Sequence, residues 1–274
     1  MPLSDLLVHI DSSKQCATRL KLAASLARRF SASLAAIYVG LDDEVPPTLS
    51  DQYRSADLDA IDTVHALQRE DAEALFSSCV PDAGMRRQLI EERGDIAELV
   101  RQHARYHDLT ILGQVDPDAK LTDGELSIPD VVGLSSGKPI LMVPYAGSFP
   151  TIGERVLVAW NDSSQAARAV GDALPLMTGA KKVTILTIAR RDADGISTDG
   201  IVGYLDRHGI ASESERLVAN ESEIADLLLS RAADEAADLM VMGLYSHSRL
   251  REQMFGGVSR EVLRNMTIPV LMSH

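Results

Sequence analysis

Short apolar runs alternate along this chain with longer segments in which apolar residues recur at helical spacing. Apolar runs of about four to eight residues bounded by turn formers are typical of buried strands. Strands that alternate with helices indicate a parallel sheet joined by right-handed crossovers. The helices include a long charged one near residues 55–77 and a shorter one near 197–208. The predicted strands lie near residues 6–10, 34–39, 87–91, 109–112, 140–143, 155–160, 182–188, 212–217, 239–242 and 270–273.

The sequence contains an internal repeat, which decides how the rest is interpreted. Residues 7–13, followed by an alanine-rich amphipathic segment, recur as residues 157–164 with a similar segment after them. Residues 108–113 recur as 238–243, and a Pro-x-Leu-Met run follows in both copies at the same distance from the glycine. The chain is therefore one domain written twice.

The repeat predicts two domains with a short connection between them. We place the first at residues 1–147 and the second at residues 154–274. The segment 145–153 is rich in turn-forming residues and serves as the linker. It is too short to let the two copies move far apart.

The segment 243–259 lies between two predicted strands of the second copy and has the chemistry of a phosphate cradle. It opens with a glycine, continues with a basic run and ends with a glycine pair at the start of a helix. Glycines let backbone N–H groups approach an anion, and the positive end of the helix dipole receives it. The candidate contacts are Gly243, Ser246, Arg249, Gly256, Gly257, Val258 and Ser259.

This segment resembles the nucleotide loop of the universal stress protein family. ATP-binding members of that family carry glycine, two residues, glycine, nine residues, glycine and then Ser or Thr. Gly243 and Gly256 stand at the first and third glycine positions, whereas Ser246 replaces the middle glycine and Gly257 replaces the hydroxyl residue. The resemblance covers essentially the whole chain and names ATP, with Mg²⁺, as the candidate ligand.

The resemblance also implies the architecture. Each copy is expected to be a flavodoxin-like, doubly wound α/β domain with a five-stranded parallel sheet of order 3-2-1-4-5 and helices on both faces. In family members the final strands pair to form dimers. We therefore expect the two copies to pack as an intramolecular pseudo-dimer, while a homodimer of the whole chain stays open.

Doubly wound sheets bind ligands beyond the carboxyl ends of their strands, at the switch point where the strand order reverses. With the implied order, Asp11 and Gly113 flank this point in the first copy, and Asn161 and Gly243 flank it in the second. In ATP-binding members the end of the first strand contacts the nucleoside and the end of the second contributes the adenine pocket. Asn161 and Ile188 thus join the candidate site. Asn161 has an equally good explanation as a turn and helix-capping residue.

The corresponding loop of the first copy lacks a cradle. Asp116 and Leu126 stand opposite Ser246 and Gly256, and the basic residues have no counterparts. The loop is acidic instead, so it would repel a triphosphate. Because its spacing does not follow the EF-hand pattern, we interpret it as a solvated loop rather than a calcium site. The first domain is expected to be degenerate.

Composition excludes several classes of function. The net charge of −13 and the pI near 4.9 argue against a surface for nucleic acid or anionic membranes. No apolar run approaches the roughly 20 residues that cross a bilayer, and the first residues lack a signal-peptide pattern, so we expect a cytoplasmic protein. Cys16 and Cys79 have neither CxxC spacing nor nearby His residues, which argues against a metal or redox site. Trp160 is interpreted as a core aromatic residue rather than a base-stacking one.

Two functional hypotheses follow. The first is a stress-responsive regulatory or protective protein that binds ATP or another adenine nucleotide in its second domain. The alternative is a member of the same family that binds no nucleotide and acts on a protein partner through the pseudo-dimer surfaces. The changes at Asn161, Ser246 and Gly257 favour the alternative. No GxSxG, HExxH or complete P-loop motif identifies an enzyme, and slow ATP hydrolysis is the only activity left open.

Overall fold

The computed structural model contains ten strands and eight α-helices in the part of the chain that it describes. The described residues are 3–40, 55–81, 84–115, 128–189, 195–244 and 257–274. The candidate residues Ser246, Arg249 and Gly256 lie outside them.

The described residues of the first half form five strands and four helices. Its strands are β1 (Asp5–Ile10), β2 (Ser33–Gly40), β3 (Arg87–Arg93), β4 (Leu109–Gly113) and β5 (Ile140–Val143). Its helices are α1 (Cys16–Phe30), α2 (Ser55–Cys79), α3 (Ile96–Ala104) and α4 (Ile128–Ser135).

The second half repeats this series of elements, with a single 3₁₀ turn at Glu221–Glu223 as an addition. Its strands are β6 (Arg155–Ala159), β7 (Lys182–Ala189), β8 (Glu213–Val218), β9 (Leu239–Gly243) and β10 (Val270–Ser273). Its helices are α5 (Ser164–Met177), α6 (Asp199–Arg207), α7 (Ile224–Asp234) and α8 (Gly257–Asn265).

All ten strands lie in one sheet, in the order β3-β2-β1-β4-β5-β10-β9-β6-β7-β8. Within each half the strands are parallel and follow the order 3-2-1-4-5, which confirms the predicted fold class. The halves join where β5 pairs antiparallel with β10, with Leu141 opposite Leu271. The predicted pairing of the two final strands is therefore confirmed.

Helices cover both faces of the sheet and enclose two layers of core. One layer packs against α1, α2, α5 and α6, and the other against α3, α4, α7 and α8. Central strands such as β4 and β9 are buried on both sides, which is why they are apolar without alternation. The outer strands β3 and β8 carry charged residues, which discourage pairing with a further strand.

Side chains from both halves hold the linker in place. Arg29 on α1 donates from Nη1 to the carbonyl oxygen of Ile152 at 2.7 Å. Asp238 accepts hydrogen bonds from the backbone N–H groups of Gly153 and Arg155 at 3.0 and 2.9 Å. Gly153 has a φ of +83°, and a Cβ there would lie 2.2 Å from the carbonyl oxygen of Leu176. The linker thus has one conformation that depends on a glycine.

Candidate functional site

The carboxyl ends of β6, β7 and β9 bring three predicted site residues to one edge of the second half. Ala159 on β6 pairs with Met242 on β9, so Asn161 and Gly243 leave the sheet side by side. Ile188, half-buried near the end of β7, lies on the neighbouring strand. The strand order thus brings Asn161 and Gly243 together at the switch point between β6 and β9, with Ile188 one strand away on β7.

Asn161 begins a turn that leads into α5. Its Oδ1 accepts hydrogen bonds from the backbone N–H of Ser163 at 3.3 Å and from the hydroxyl of Ser163 at 2.7 Å. The hydroxyl oxygen of Ser163 accepts from the N–H of Ala166 at 3.1 Å and caps the helix. Asn161 therefore has the turn-forming role that its sequence context predicts, whatever else it binds.

Asp162, between Asn161 and Ser163, has a strained backbone conformation. Asp162 has a φ of +59°, in the left-handed region that side chains other than glycine rarely adopt. Ser12, the corresponding residue after β1, is not among the residues with positive φ. Backbone strain of this kind persists only where surrounding contacts impose it, and it is frequent at binding sites.

Gly243 is required by packing. A Cβ at this position would lie 2.7 Å from the backbone nitrogen of Ala166 and 2.8 Å from the carbonyl carbon of Gln165, both in the first turn of α5. These distances leave no room for a methyl group. The glycine at the end of β9 thus has a structural explanation that is independent of any phosphate.

The last helix brings its N-terminus to the same edge. Because α8 connects two parallel strands, it runs back against them and starts where they end. Gly257 opens the helix, and a Cβ there would meet no atom within 4 Å. Val258 is half-buried, whereas Ser259 is only 5% exposed. The free N–H groups of a first helical turn form a binding place for an anion.

The switch point of the first half is filled from within. Arg19 on α1, which is 1% exposed, places Nη2 at 2.8 Å from Oδ2 of Asp11 and donates from Nε to the carbonyl oxygen of His9 at 3.0 Å. A Cβ on Gly113 would lie 2.1 Å from Nη1 of the same guanidinium. Asp11 otherwise makes the same turn as Asn161, with Ser13 as its donor.

This buried cation was not predicted. Because the two turns correspond, α1 and α5 can be compared position by position, and the counterpart of Arg19 is Ala169. The available signal was an arginine on the alanine-rich face of the first repeat. In the second half the same position carries only a methyl group.

Burial and charge shift two pKa values at this point. Burial raises the pKa of Asp11, but Arg19 and the Ser13 hydrogen bond act in the opposite direction, and the net pKa lies below its usual value. Burial and the Arg19 charge lower the pKa of His9 from 6.5 to about 4. The first switch point is therefore a closed ion pair beside a neutral histidine.

Trp160 lies just beyond the end of β6 and belongs to the core. It is 8% exposed and packs in the layer formed with α5 and α6, which agrees with its interpretation as a core aromatic residue. Its Nε1 has no hydrogen-bond partner among the residues that the structure describes. Within the described residues, no helix has the length and apolar composition needed to cross a membrane.

These features define a protein with two doubly wound α/β units in one sheet. Arg19 fills the switch point of the first unit, and the switch point of the second is the candidate binding site. Residues 153–274 match the sequence model of the Universal stress protein family. A universal stress protein from Synechocystis sp. is 28% identical over 193 residues, which are 67% of this chain and 64% of that relative. The chain thus matches less than two thirds of the relative's length.

Solved structures agree in fold. A universal stress protein from Archaeoglobus fulgidus DSM 4304 superimposes with a TM-score of 0.75 and 14% identity, over 98% of this chain and 95% of that one. A functionally unknown protein from Pseudomonas aeruginosa PAO1 gives a TM-score of 0.60 and 14% identity, over 99% and 92% of the two chains. Residues 153–274 are thus similar in sequence to the universal stress protein family, and both halves of the chain have the fold of these structures.

Proposed function

We propose that this chain is a stress-responsive regulatory or protective protein that binds one adenine nucleotide, with ATP as the first candidate, in its second half. The observation that carries the proposal is the difference between the two switch points. In the first, Arg19 fills the space above Gly113 and pairs with Asp11. In the second, the counterpart of Arg19 is Ala169, so no guanidinium from that position competes with a ligand.

The described residues of the second half suit the parts of a nucleotide. Ile188 offers half-buried apolar surface near the end of β7 for a base, and Asn161 stands beside it for the nucleoside. The first turn of α8, from Gly257 to Ser259, provides backbone N–H groups for phosphate. Ser246, Arg249 and Gly256 belong to the same proposed site.

Magnesium would enter with the nucleotide rather than through a dedicated protein site. The described residues contain no group of three or more His, Cys, Asp or Glu side chains placed to hold a metal ion. Mg²⁺ usually keeps several waters and is bound largely by the phosphates it accompanies. Its role here would be to neutralise phosphate charge.

Isothermal titration calorimetry of the full chain with ATP and Mg²⁺ tests the proposal. We expect saturable binding near one site per chain, weakened in an Arg249→Ala/Arg251→Ala variant and retained or strengthened in Ser246→Gly. Lys21→Ala/Arg28→Ala, which replaces two exposed cations on α1, is the charge-matched control and should bind as the parent does. Absence of heat at millimolar ATP, unchanged by Ser246→Gly, would remove the proposal.

One observation favours the alternative of an interaction protein without a nucleotide. Gly243 is needed for the packing of α5, and Ser259 is buried, so both residues have structural reasons to be present. Gly257 has no such reason, because a Cβ there would meet nothing. Calorimetry on Gly257→Ala therefore separates the two functions: a nucleotide site at this turn should lose affinity, whereas an interaction protein has no affinity to lose.

A further inference from the structure

A residue of the first half holds the far end of the helix that forms the proposed phosphate site. Gln114 follows β4 directly and is 7% exposed. Its Nε2 lies 2.9 Å from the carbonyl oxygen of Leu263 and 2.9 Å from that of Arg264, in the last turn of α8. Its Oε1 accepts a hydrogen bond from the backbone N–H of Tyr145 at 3.0 Å. The side-chain amide of Gln114 thus connects the end of β4 to the last turn of α8 and to the segment that begins at Tyr145.

These contacts satisfy groups that the helix cannot satisfy itself. The last four carbonyl groups of an α-helix have no partner within it. Gln114 supplies donors to two of them from a position 149 and 150 residues away in the sequence. The amide is buried, so water does not readily replace it. Its loss would remove the donor from two part-buried carbonyl groups at the end of α8, which lowers the stability of that turn.

On the opposite side of the pseudo-dimer, the described part of the chain shows no equivalent side-chain hydrogen bond. The residue after β9 is Leu244, which is fully buried and packs toward α4. A Cβ on Gly133 in that helix would lie 2.5 Å from Cδ2 of Leu244. The contact is apolar and involves no carbonyl capping by the side chain. The hydrogen bonds from the Gln114 amide to α8, which we call the polar clamp, therefore act on the helix whose N-terminus belongs to the proposed nucleotide site.

Helix α8 is short enough to move as a rigid unit, so its two ends move together. Nine residues of α-helix span about 13 Å. At one end are the N–H groups of Gly257 and Val258, and at the other are the carbonyl groups held by Gln114. A shift of the helix toward a bound phosphate would therefore move the contacts of Gln114.

We infer that Gln114 is a positioning residue for the nucleotide site and that it transmits occupancy of that site to Tyr145 and the linker in the first half. The transmission rests on the proposed function, whereas the clamp itself does not. Because coupling is reciprocal, the contacts of Gln114 contribute to ligand affinity by the amount that their free energy differs between the free and the occupied site.

Gln114→Leu tests the inference, since it places at position 114 the residue found at 244. The matched control is Ile140→Val, which weakens packing in the first half, on β5 beside β10 at the same junction. Thermal unfolding first establishes that each variant is folded. Amide exchange by NMR is then measured without ligand, at the last turn of α8 and at the N–H of Gln114 or its replacement, which donates to the carbonyl of Val143.

Without ligand, we expect faster exchange across α8 in Gln114→Leu than in the parent or in Ile140→Val, after correction for global stability. Unchanged exchange in α8 would overturn the clamp. This comparison tests the clamp even if the parent binds no nucleotide. Failure to bind, seen by calorimetry, would remove the proposed function and leave the result on the clamp standing.

With ATP and Mg²⁺ present, we expect the parent to slow exchange at α8 and at the N–H of residue 114. In Gln114→Leu the affinity should fall about fivefold or more, and the effect at residue 114 should disappear while binding persists. Ile140→Val should keep both the affinity and the effect at residue 114. Parent-like affinity in Gln114→Leu, or retention of the effect at residue 114, would overturn the positioning role.

Discussion

Arg19 and Asp11 form an ion pair of 2.8 Å at the switch point of the first half, in the place where a related doubly wound domain would receive a ligand. The pair is buried on the arginine side and lies against Gly113. The second half has neither partner, because Ala169 and Asn161 stand at the two positions. The two halves share a fold and differ in what occupies the switch point.

Removing the guanidinium should destabilise the protein strongly. Arg19→Met keeps the aliphatic volume but removes the charged donor to Asp11, whose side chain is 33% exposed and keeps its hydrogen bond from Ser13. Losing a hydrogen bond to a charged group costs about 1.5–3 kcal/mol. We expect the free energy of unfolding, measured with urea, to fall by about that amount. Arg28→Ala, an exposed position on the same helix, should change it by less than about 0.5 kcal/mol. Similar values for the two variants would contradict the importance of the pair.

The stability should depend on pH through His9. Its pKa is lowered from 6.5 to about 4 in the fold, first by burial and then by Arg19. As pH falls below 6.5 the unfolded chain binds a proton that the folded chain still excludes, so stability is full above 6.5 and is lost toward pH 4. Urea unfolding at several pH values should show this slope in the parent and a smaller slope in His9→Leu.

The pH dependence assigned to His9 has a control at another histidine, and Asp11 contributes in a separate, more acidic pH range. His208→Gln changes an exposed histidine and should retain the parent slope. Asp11 has a lowered pKa in the fold, so its contribution is present above its unfolded pKa and is lost only at more acidic pH. An identical slope in His9→Leu and the parent between pH 6.5 and 4 would show that His9 is not the group responsible.

Two glycines near the second switch point should respond differently to alanine. Gly243→Ala places a Cβ 2.7 Å from the nitrogen of Ala166, so the backbone must shift and stability should fall by about 1–3 kcal/mol. Gly257→Ala meets open space in a helix and should be neutral or stabilising by up to about 1 kcal/mol. Thermal and urea unfolding measure both. The packing explanation of Gly243 is wrong if the order is reversed.

The strained turn after β6 should relax when glycine is introduced. Asp162 has a φ of +59°, which costs about 1–2 kcal/mol relative to a conformation-tolerant residue, somewhat less for Asp than for most. Asp162→Gly should therefore stabilise the protein by roughly 1 kcal/mol, whereas Ser12→Gly, without a positive φ, should not stabilise it. Unfolding in urea compares them. Equal effects would show that the turn carries no strain.

Much of the fold could be predicted because its central strands are buried on both faces. Such strands appear in the sequence as continuous apolar runs, and all ten were placed to within two residues of their observed bounds. The repeat supplied the number of units, and the resemblance to a family supplied the strand order. The domain limits at 147 and 154 and a homodimer of the whole chain stay predictions.

The sequence by itself thus determined the series of elements, the two-fold repetition and the residues that reach each switch point, because these depend on local periodicity and on strand order. Only the tertiary structure decided how those points are filled. Arg19 resembles any helical arginine until its side chain is seen above Gly113. Gln114 resembles any loop residue until it reaches the carbonyl groups of Leu263 and Arg264. Both contacts depend on side-chain direction and on distant segments, neither of which is encoded in the local pattern of apolar and polar residues.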